Sequence, residues 1–320
     1  MSQIFVDPSS HEALTFRELG QNHGAWVRSD GKGYPVTNRV ARFVAAPSQE
    51  WPLEVLGIPP ALGGQVQAGD SVASFGMQWQ WDSAPRTEQD LRWRVAERFG
   101  LAPSDLSGLR VLDAGCGAGA QSAFLARQGA TVTSVDLSDA IEVAARLPDL
   151  QKASLAQADL LKLPLADASF DLVYCEGVLQ HTADAGLVLR ELRRVLRPGG
   201  RLLATHYTIP RRLVSRARYR LREGIRHATR NTPQEVLFLA SGAGAALAQI
   251  PVLGWFLKNT IVVANPRMPG LKPTWSATYD TFGTHSYQRF LRHADFLALV
   301  KGAGFARTDG TGEDGVVIAS

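Results

Sequence analysis

The stretch Val111–Gly119, "VLDAGCGAG", decides the fold class of this chain. An apolar pair and Asp113 are followed by glycines at alternate positions, Gly115, Gly117 and Gly119. Glycine adopts tight backbone turns and carries no Cβ atom, so a ligand can approach the main chain closely. A buried strand that ends in such a turn and leads into a helix is typical of nucleotide-binding α/β domains.

The sequence around this turn alternates strand and helix patterns. The predicted strands are residues 109–115, 131–138, 154–160, 170–177, 201–208 and 315–320. The predicted helices are residues 88–99, 120–129, 139–147, 185–200 and 293–305. Such alternation builds βαβ units, whose strands form a mainly parallel sheet with helices on both faces. The predicted fold class is therefore α/β, a Rossmann-like doubly wound sheet.

These patterns divide the chain into four parts. Residues 1–60 are rich in turn formers and short strand patterns, which predicts a small β segment. Residues 61–107 are a linker and an N-terminal helix, and residues 108–208 together with 285–320 form the α/β core. Residues 209–284 interrupt the alternation after the fifth core strand, where we expect a helical insertion that covers the substrate.

Composition excludes several classes of protein. The 320 residues are 45% hydrophobic and 20% charged, which is typical of a globular protein rather than a disordered or fibrous one. The formal net charge of +4 is too small to indicate nucleic-acid binding by itself. Cys116 and Cys175 cannot build a disulfide framework and stand in no metal-spaced cluster, so we predict no metal site and a reducing compartment. The N-terminus lacks the pattern of a signal peptide, which favours a cytoplasmic location.

Three carboxylates stand at or beside the ends of predicted strands. Asp113 precedes the first glycine, where a carboxylate would repel a pyrophosphate but attract a cation. Asp136 ends the second strand, where its carboxylate can accept both hydroxyls of a ribose. Asp159 follows the third strand and can accept from an adenine amino group, with the Leu160 amide beside it. An adenosine with a cationic amino-acid tail, S-adenosylmethionine, fits these acids better than NAD does.

Four segments carry a family resemblance. "VLDAGCGAG", "SVDLS", "ADLLKLPLADASFDLVYCEGVLQH" and "LRRVLRPGGRLL" resemble the successive motifs of class I S-adenosylmethionine-dependent methyltransferases of the methyltransferase-11 type. The resemblance covers about residues 95–207. It implies a seven-stranded sheet with one antiparallel strand near the C-terminus.

The resemblance also implies how the cofactor is held. Asp113 and the glycine turn meet the methionine end, and Asp136 meets the ribose. Asp159 and the amide of Leu160 meet the adenine, and Gln180 contacts the amino-acid end. The predicted cofactor-binding residues are Asp113, Gly115, Cys116, Gly117, Gly119, Asp136, Leu137, Asp159, Leu160, Glu176 and Gln180.

The N-terminal segment resembles a narrower group. "VDPSSHEAL" and "GKGYPVTNRVARFV" are similar to the small Trm112-like domain that is fused to some of these enzymes. The cysteine positions of that domain are occupied here by Asp7, Ser9 and Ser10, so thiolates cannot hold zinc.

Candidate catalytic residues follow the fourth and fifth strands. Methyl transfer is an in-line displacement, so the protein must align a nucleophile, exclude water and accept a proton. His181 and His206 are candidate bases, although His181 can equally bond the backbone or pack beside the cofactor. Glu176 either acts on the substrate or holds a loop. The candidate substrate-binding residues are Tyr207, Tyr279, His285 and Trp79.

The insertion has two distinctive stretches. Residues 211–230 contain eight arginines and one glutamate. They form a solvated helical face, attract an acidic substrate or carrier protein, or contact an anionic membrane or nucleic acid. Residues 236–256 carry no charge, but Pro251 breaks them, so we expect two buried or lid-forming helices instead of a membrane span.

The predicted function is transfer of a methyl group to an oxygen or nitrogen of a small molecule, either a secondary metabolite or a lipophilic compound. Alternatives are a nucleic-acid or carrier-bound substrate, a methyltransferase-like cyclase or isomerase, and a non-catalytic cofactor-binding protein. We expect S-adenosylmethionine as cofactor and a small-molecule substrate, with no stable nucleic-acid partner and no transmembrane span. Peripheral membrane contact stays open.

Overall fold

The computed structural model describes residues 4–20, 23–44, 86–210, 212–264, 269–282, 288–310 and 315–320. Within these ranges the strands are β1 (Thr15–Gly20), β2 (His23–Val27), β3 (Gly33–Thr37), β4 (Val40–Arg42), β5 (Arg110–Ala114), β6 (Thr131–Asp136), β7 (Ser154–Gln157), β8 (Phe170–Cys175), β9 (Leu196–Thr205), β10 (Thr308–Gly310) and β11 (Val316–Ala319). The helices are α1 (Glu88–Val95), α2 (Ala120–Arg127), α3 (Ile141–Ala145), α4 (Ala185–Val195), α5 (Leu213–Thr229), α6 (Gln234–Leu247), α7 (Pro251–Thr260), α8 (Leu271–Phe282) and α9 (His293–Gly302).

The described strands form one sheet in the order β1-β2-β3-β4-β7-β6-β5-β8-β9-β11-β10. The central strands β7, β6, β5, β8 and β9 are parallel, and β11 pairs with β9 in the antiparallel sense. The chain direction across the sheet switches between β5 and β8, and in open α/β sheets ligands bind beyond the carboxyl ends of the strands at such a point. The sheet confirms the predicted Rossmann-like α/β class.

The number of strands differs from the prediction. Seven strands, β5 to β11, match the expected core, but β1 to β4 extend the same sheet instead of forming a unit of their own. Residues Val40 to Arg42 of β4 pair in parallel with Leu155 to Gln157 of β7. Without β4, β7 would present unpaired backbone groups at the edge of the sheet. This long-range pairing satisfies them, and no local pattern encodes it.

Side chains of the central strands alternate between two apolar layers. Val111 packs with Phe124 on one face of the sheet, and the next residue, Leu112, belongs to the cluster with Phe296 on the other face. Successive side chains of a strand point to opposite faces. Both faces are covered, which explains why the central strands are apolar throughout.

Several predicted helices are longer than the observed ones, and the largest difference concerns the helix before β9. The predicted helix 185–200 ends at Val195, because Leu196 pairs with Phe170 and begins β9. Backbone pairing with the neighbouring strand therefore ends this helix before Pro198 does.

The N-terminal turn is organised by a buried carboxylate. Asp7 accepts hydrogen bonds from the backbone amides of Ser9 (2.9 Å) and Ser10 (2.8 Å) and from the Tyr34 hydroxyl (2.8 Å). Arg28 Nη1 donates to the same carboxylate at 3.0 Å. Burial raises the pKa of Asp7, but these hydrogen bonds outweigh it and lower the pKa to about 2. A carboxylate network thus occupies the turn where the Trm112-like resemblance places cysteines; that resemblance stays a prediction.

The helical segment follows β9. Helix α6 ends at Leu247 and α7 begins at Pro251, so the proline separates two helices. Helix α8 packs against α6, since Trp275 Nε1 donates to the Phe238 carbonyl oxygen at 2.8 Å. Of the helices in the described part of the chain, none combines the length and the apolar character needed to cross a membrane.

Candidate functional site

The glycine turn after β5 has a backbone that only glycine adopts easily. The φ angles are +83° at Gly115, +53° at Gly117 and +82° at Gly119. A Cβ atom at Gly115 would lie 2.2 Å from Val178 Cγ2, and one at Gly119 would lie 2.7 Å from Ala144 Cβ. Neighbouring side chains of the protein therefore require glycine at these two positions, in addition to the left-handed backbone.

Asp136 at the end of β6 holds this turn. Its Oδ2 accepts from the Gly117 amide at 2.7 Å, and its Oδ1 accepts from the Ser138 amide and hydroxyl at 2.8 and 2.7 Å. Burial raises the pKa of Asp136, and these donors offset only part of the increase. A carboxylate has about four acceptor positions, and the Gly117 and Ser138 donors occupy three of them, so one position on Asp136 is left for a ribose hydroxyl. The residue fits a ribose.

Asp113 lies fully buried beneath the turn. Ser122 Oγ donates to its Oδ2 at 2.5 Å, and Ser134 Oγ donates to Ser122 Oγ at 2.8 Å. Burial raises the pKa of Asp113 to about 7, with contributions from the charges of Asp136 and Glu176. A cation bound nearby would stabilise the ionised form, so this environment suits a sulfonium or ammonium group.

The remaining residues of the predicted adenosine side line the same edge. Asp159 follows β7, and its Oδ1 accepts from the Leu161 amide at 2.9 Å, while burial raises its pKa. Leu160 is buried beside it. The Leu137 carbonyl accepts from Gln157 Nε2 at 3.2 Å. Cys116 is a buried free thiol whose pKa is raised by burial.

Glu176, just beyond β8, is held by α1 and the segment after it. Arg94 Nη1 donates to its Oε1 at 3.1 Å, Arg98 Nη1 donates to the same oxygen, and the Tyr174 hydroxyl donates to Oε2 at 2.6 Å. Burial raises the pKa of Glu176, but the two guanidinium groups outweigh it and leave the pKa below its ordinary value. The sequence reasoning missed these arginines, because no motif connects α1 to the end of β8. The cofactor contact of Glu176 stays a prediction.

A second polar cluster lies after β8 and β9. Tyr207 is half-buried and its hydroxyl donates to Asp280 Oδ2 at 2.9 Å, and the His181 ring lies edge-on to the Tyr207 ring with centroids 5.6 Å apart. Gln180 is fully buried beside Tyr207, and its main-chain oxygen accepts from the Arg289 amide at 3.0 Å. Neither polar atom of the Gln180 side chain has a well-formed hydrogen bond within the described residues. The Gln180 amide therefore keeps hydrogen-bonding capacity that a ligand can use.

The other candidates lie elsewhere. His206 is buried against α9, with its ring centroid 5.4 Å from that of Phe296, and burial lowers its pKa. Tyr279 is buried within the helical segment, edge-on to Phe238. The structure thus places Tyr207 beside His181, whereas His206 packs against α9. His285 and Trp79 lie outside the described residues. Asp280 is not among the residues predicted from the sequence, because its hydrogen bond with Tyr207 depends on how α8 folds back.

A glycine turn at the switch point of a Rossmann-like sheet, with buried acids at the neighbouring strand ends, defines a class I adenosyl-cofactor site. Residues 112–204 match the methyltransferase domain family. The matched segment is thus similar to a methyltransferase domain, and the acids and the glycine turn around it fit S-adenosylmethionine as a ligand.

Relatives match this domain and part of its surroundings. A ubiquinone biosynthesis O-methyltransferase from Xanthomonas oryzae pv. oryzae is 36% identical over 151 residues, which cover 45% of this chain and 62% of that protein. A demethylmenaquinone methyltransferase from Clavibacter sepedonicus is 38% identical over 123 residues, 38% of this chain and 49% of that protein. A solved structure, an S-adenosylmethionine-dependent methyltransferase from Mesorhizobium loti, is 34% identical with a TM-score of 0.30, covering 33% of this chain and 51% of that one. The chain therefore spans only part of the length of each of these relatives.

Proposed function

We propose that this chain transfers the methyl group of S-adenosylmethionine to an oxygen or nitrogen of a small lipophilic molecule. The observation that carries the proposal is the polar cluster of the buried Gln180 and the half-buried Tyr207 and Asp280 beside the glycine turn. Val178, which packs over Gly115, lies two residues before Gln180, so the cluster adjoins the turn. The name of the Xanthomonas relative, an O-methyltransferase of ubiquinone biosynthesis, supports an oxygen acceptor on a lipophilic molecule.

Residues at the strand ends would hold the cofactor, whose sulfonium supplies the methyl group. Asp136 would accept a ribose hydroxyl, and Asp159 with the Leu160 amide would bind the adenine. Asp113 would keep its negative charge when a cation lies near, because the cation offsets the effect of burial on its pKa.

Residues after β8 and β9 would position the acceptor. Because Asp280 takes the Tyr207 proton in a hydrogen bond, the phenolic oxygen of Tyr207 keeps lone pairs that can accept from an acceptor hydroxyl. The Gln180 amide can donate to the same group. His181 would accept the proton of the acceptor hydroxyl, because an imidazole can act as a base near pH 7.

The test is product analysis with the purified chain. Incubated with S-adenosylmethionine and a panel of phenols, hydroquinones, alcohols and amines, the chain should produce S-adenosylhomocysteine together with an equal amount of a methylated acceptor. Asp136→Ala should lower turnover by weakening cofactor binding, whereas Leu187→Ala, an exposed change on α4, should not.

Two results would contradict the proposal. Binding of S-adenosylmethionine without S-adenosylhomocysteine formation on any acceptor would favour a non-catalytic protein, or a cyclase or isomerase that keeps the cofactor intact. Methylation of tRNA or DNA, with no turnover of small molecules, would favour a nucleic-acid substrate.

A further inference from the structure

Helices α6 and α7 present an apolar surface to solvent. Eleven of the thirteen large hydrophobic side chains that are exposed among the described residues lie between residues 213 and 256. On α7, Val252, Trp255 and Phe256 are 84%, 70% and 57% exposed. Their spacing of three and four residues places them on one face of the helix. Only Gly254 of α7 is buried, so this face has no partner within the described residues.

Helix α6 also exposes apolar side chains. Val236, Leu239, Ala243 and Leu247 are exposed and recur at the helical period. The opposite side of α6 is covered by α8, against which Leu237, Ser241 and Ala245 are buried. Monomeric globular proteins rarely leave contiguous apolar surfaces of this kind uncovered, and such surfaces mark protein or membrane contacts.

Positive charge accompanies the apolar surface. Arg212, the residue just before α5, and Arg216 and Arg220 within it are exposed and four residues apart, and we call them the arginine stripe of α5. Residues 209–264 contain eight arginines and Lys258 against two glutamates, a formal charge of +7, whereas the whole chain carries +4. The one acid of α5, Glu223, is already paired with Arg226.

Side-chain bonds join the basic helix to the apolar one and to the candidate site. Arg222 of α5 donates to the carbonyl oxygens of Thr260 and Val262, at the end of α7, at 2.9 and 3.0 Å. Tyr219 of α5 packs against Phe290, and Phe290 packs against Tyr207. The surface formed by α5, α6 and α7 therefore borders the proposed acceptor site.

We infer that α5, α6 and α7 dock on the surface of an anionic lipid bilayer. The apolar faces of α6 and α7 enter the interfacial region, and the arginine stripe of α5 binds the lipid phosphates, the division typical of helices that lie on a membrane. A second copy of this chain fits less well, because a symmetric dimer would bring the same positive surface to both sides. Nucleic acid fits less well, because its phosphates offer no partner to Trp255 and Phe256. The docking does not depend on the proposed methyl transfer.

The test is vesicle flotation with the full chain. We expect the chain to float with vesicles of phosphatidylcholine and phosphatidylglycerol (3:1), not with pure phosphatidylcholine, and to be released by salt. Replacing any one arginine of the stripe by alanine should weaken partitioning of the chain onto the anionic vesicles about 5-fold. Trp255→Glu should weaken it at least about 10-fold. The matched control is Leu187→Glu, an exposed leucine outside the surface, which should leave binding unchanged.

A depth measurement adds a second readout. Vesicles with brominated acyl chains should quench the tryptophan fluorescence of the native chain, and they should quench that of Trp255→Phe less. The inference is overturned if the chain does not bind the anionic vesicles, or if these variants bind as the native chain does. It is also overturned if size-exclusion chromatography with light scattering shows a dimer that Trp255→Glu dissociates, or if duplex DNA binds more tightly than the vesicles. All the variants change exposed positions, and thermal melts check that they fold.

Discussion

The substitution Gly115→Ala tests whether the protein itself, and not only the cofactor, requires glycine in the turn after β5. The new Cβ would lie 2.2 Å from Val178 Cγ2 and 2.9 Å from Val178 Cγ1, at a residue with φ of +83°. The left-handed backbone costs an alanine about 1–2 kcal/mol. Forcing extra volume into a packed site costs about 1–3 kcal/mol more. The free energy of unfolding should therefore fall by about 2–5 kcal/mol.

Two companion variants separate the two contributions. Gly108 has φ of +76°, and no atom lies within 4 Å of the position that a Cβ would take there, so Gly108→Ala should show the backbone cost alone. Val178→Ala removes Cγ1 and Cγ2, the two atoms nearest to the Gly115→Ala methyl, and leaves Val178 Cβ at 3.1 Å. The double variant should then be more stable than the sum of the two single changes predicts, by about 1–3 kcal/mol.

Urea denaturation followed by far-ultraviolet circular dichroism measures these free energies, with no cofactor present. If Gly115→Ala costs no more than Gly108→Ala, the crowding by Val178 is not the cause. If the double variant is simply additive, Val178 and the residue at 115 are not in contact as described. Either result would refute the reasoning.

Three further predictions concern the site. Asp136→Ala should weaken S-adenosylmethionine binding in calorimetry by about 1–3 kcal/mol, because a ribose hydroxyl loses its acceptor, and unchanged affinity would contradict the ribose assignment. Burial raises the pKa of Asp113 to about 7, above its value in the unfolded chain. Protonated Asp113 therefore stabilises the fold fully below pH 4, and this stabilisation is lost as the pH rises through 7. Asp113→Asn should remove that pH dependence from the free energy of unfolding, and an unchanged pH profile would contradict the raised pKa. Tyr207→Phe and Asp280→Asn should each lower turnover, and the double variant should be no worse than the more affected single variant, because the two groups share one hydrogen bond; additive losses would mean that they act separately.

The sequence was sufficient for the order of strands and helices in the core. Apolar runs, glycine turns and carboxylates at strand ends are local signals, and they identified β5 to β9, β11 and the acids Asp113, Asp136 and Asp159. One inference from them was incomplete. Glycine at 115 and 119 was attributed to the approach of a ligand, whereas Val178 and Ala144 already occupy the space that a side chain would need.

Tertiary structure alone decided which distant segments meet. The pairing of β4 with β7, the arginines around Glu176 and the bond between Tyr207 and Asp280 join residues that are tens of residues or more apart in the chain. Such contacts form because backbone groups and buried charges need partners in the folded state. A periodic pattern in the sequence indicates that a residue is buried, but it does not indicate which residue it packs against. For the same reason the uncharged stretch 236–256 was expected to be buried or to form a lid, while its outer face is left to solvent by the packing of α8 beneath α6.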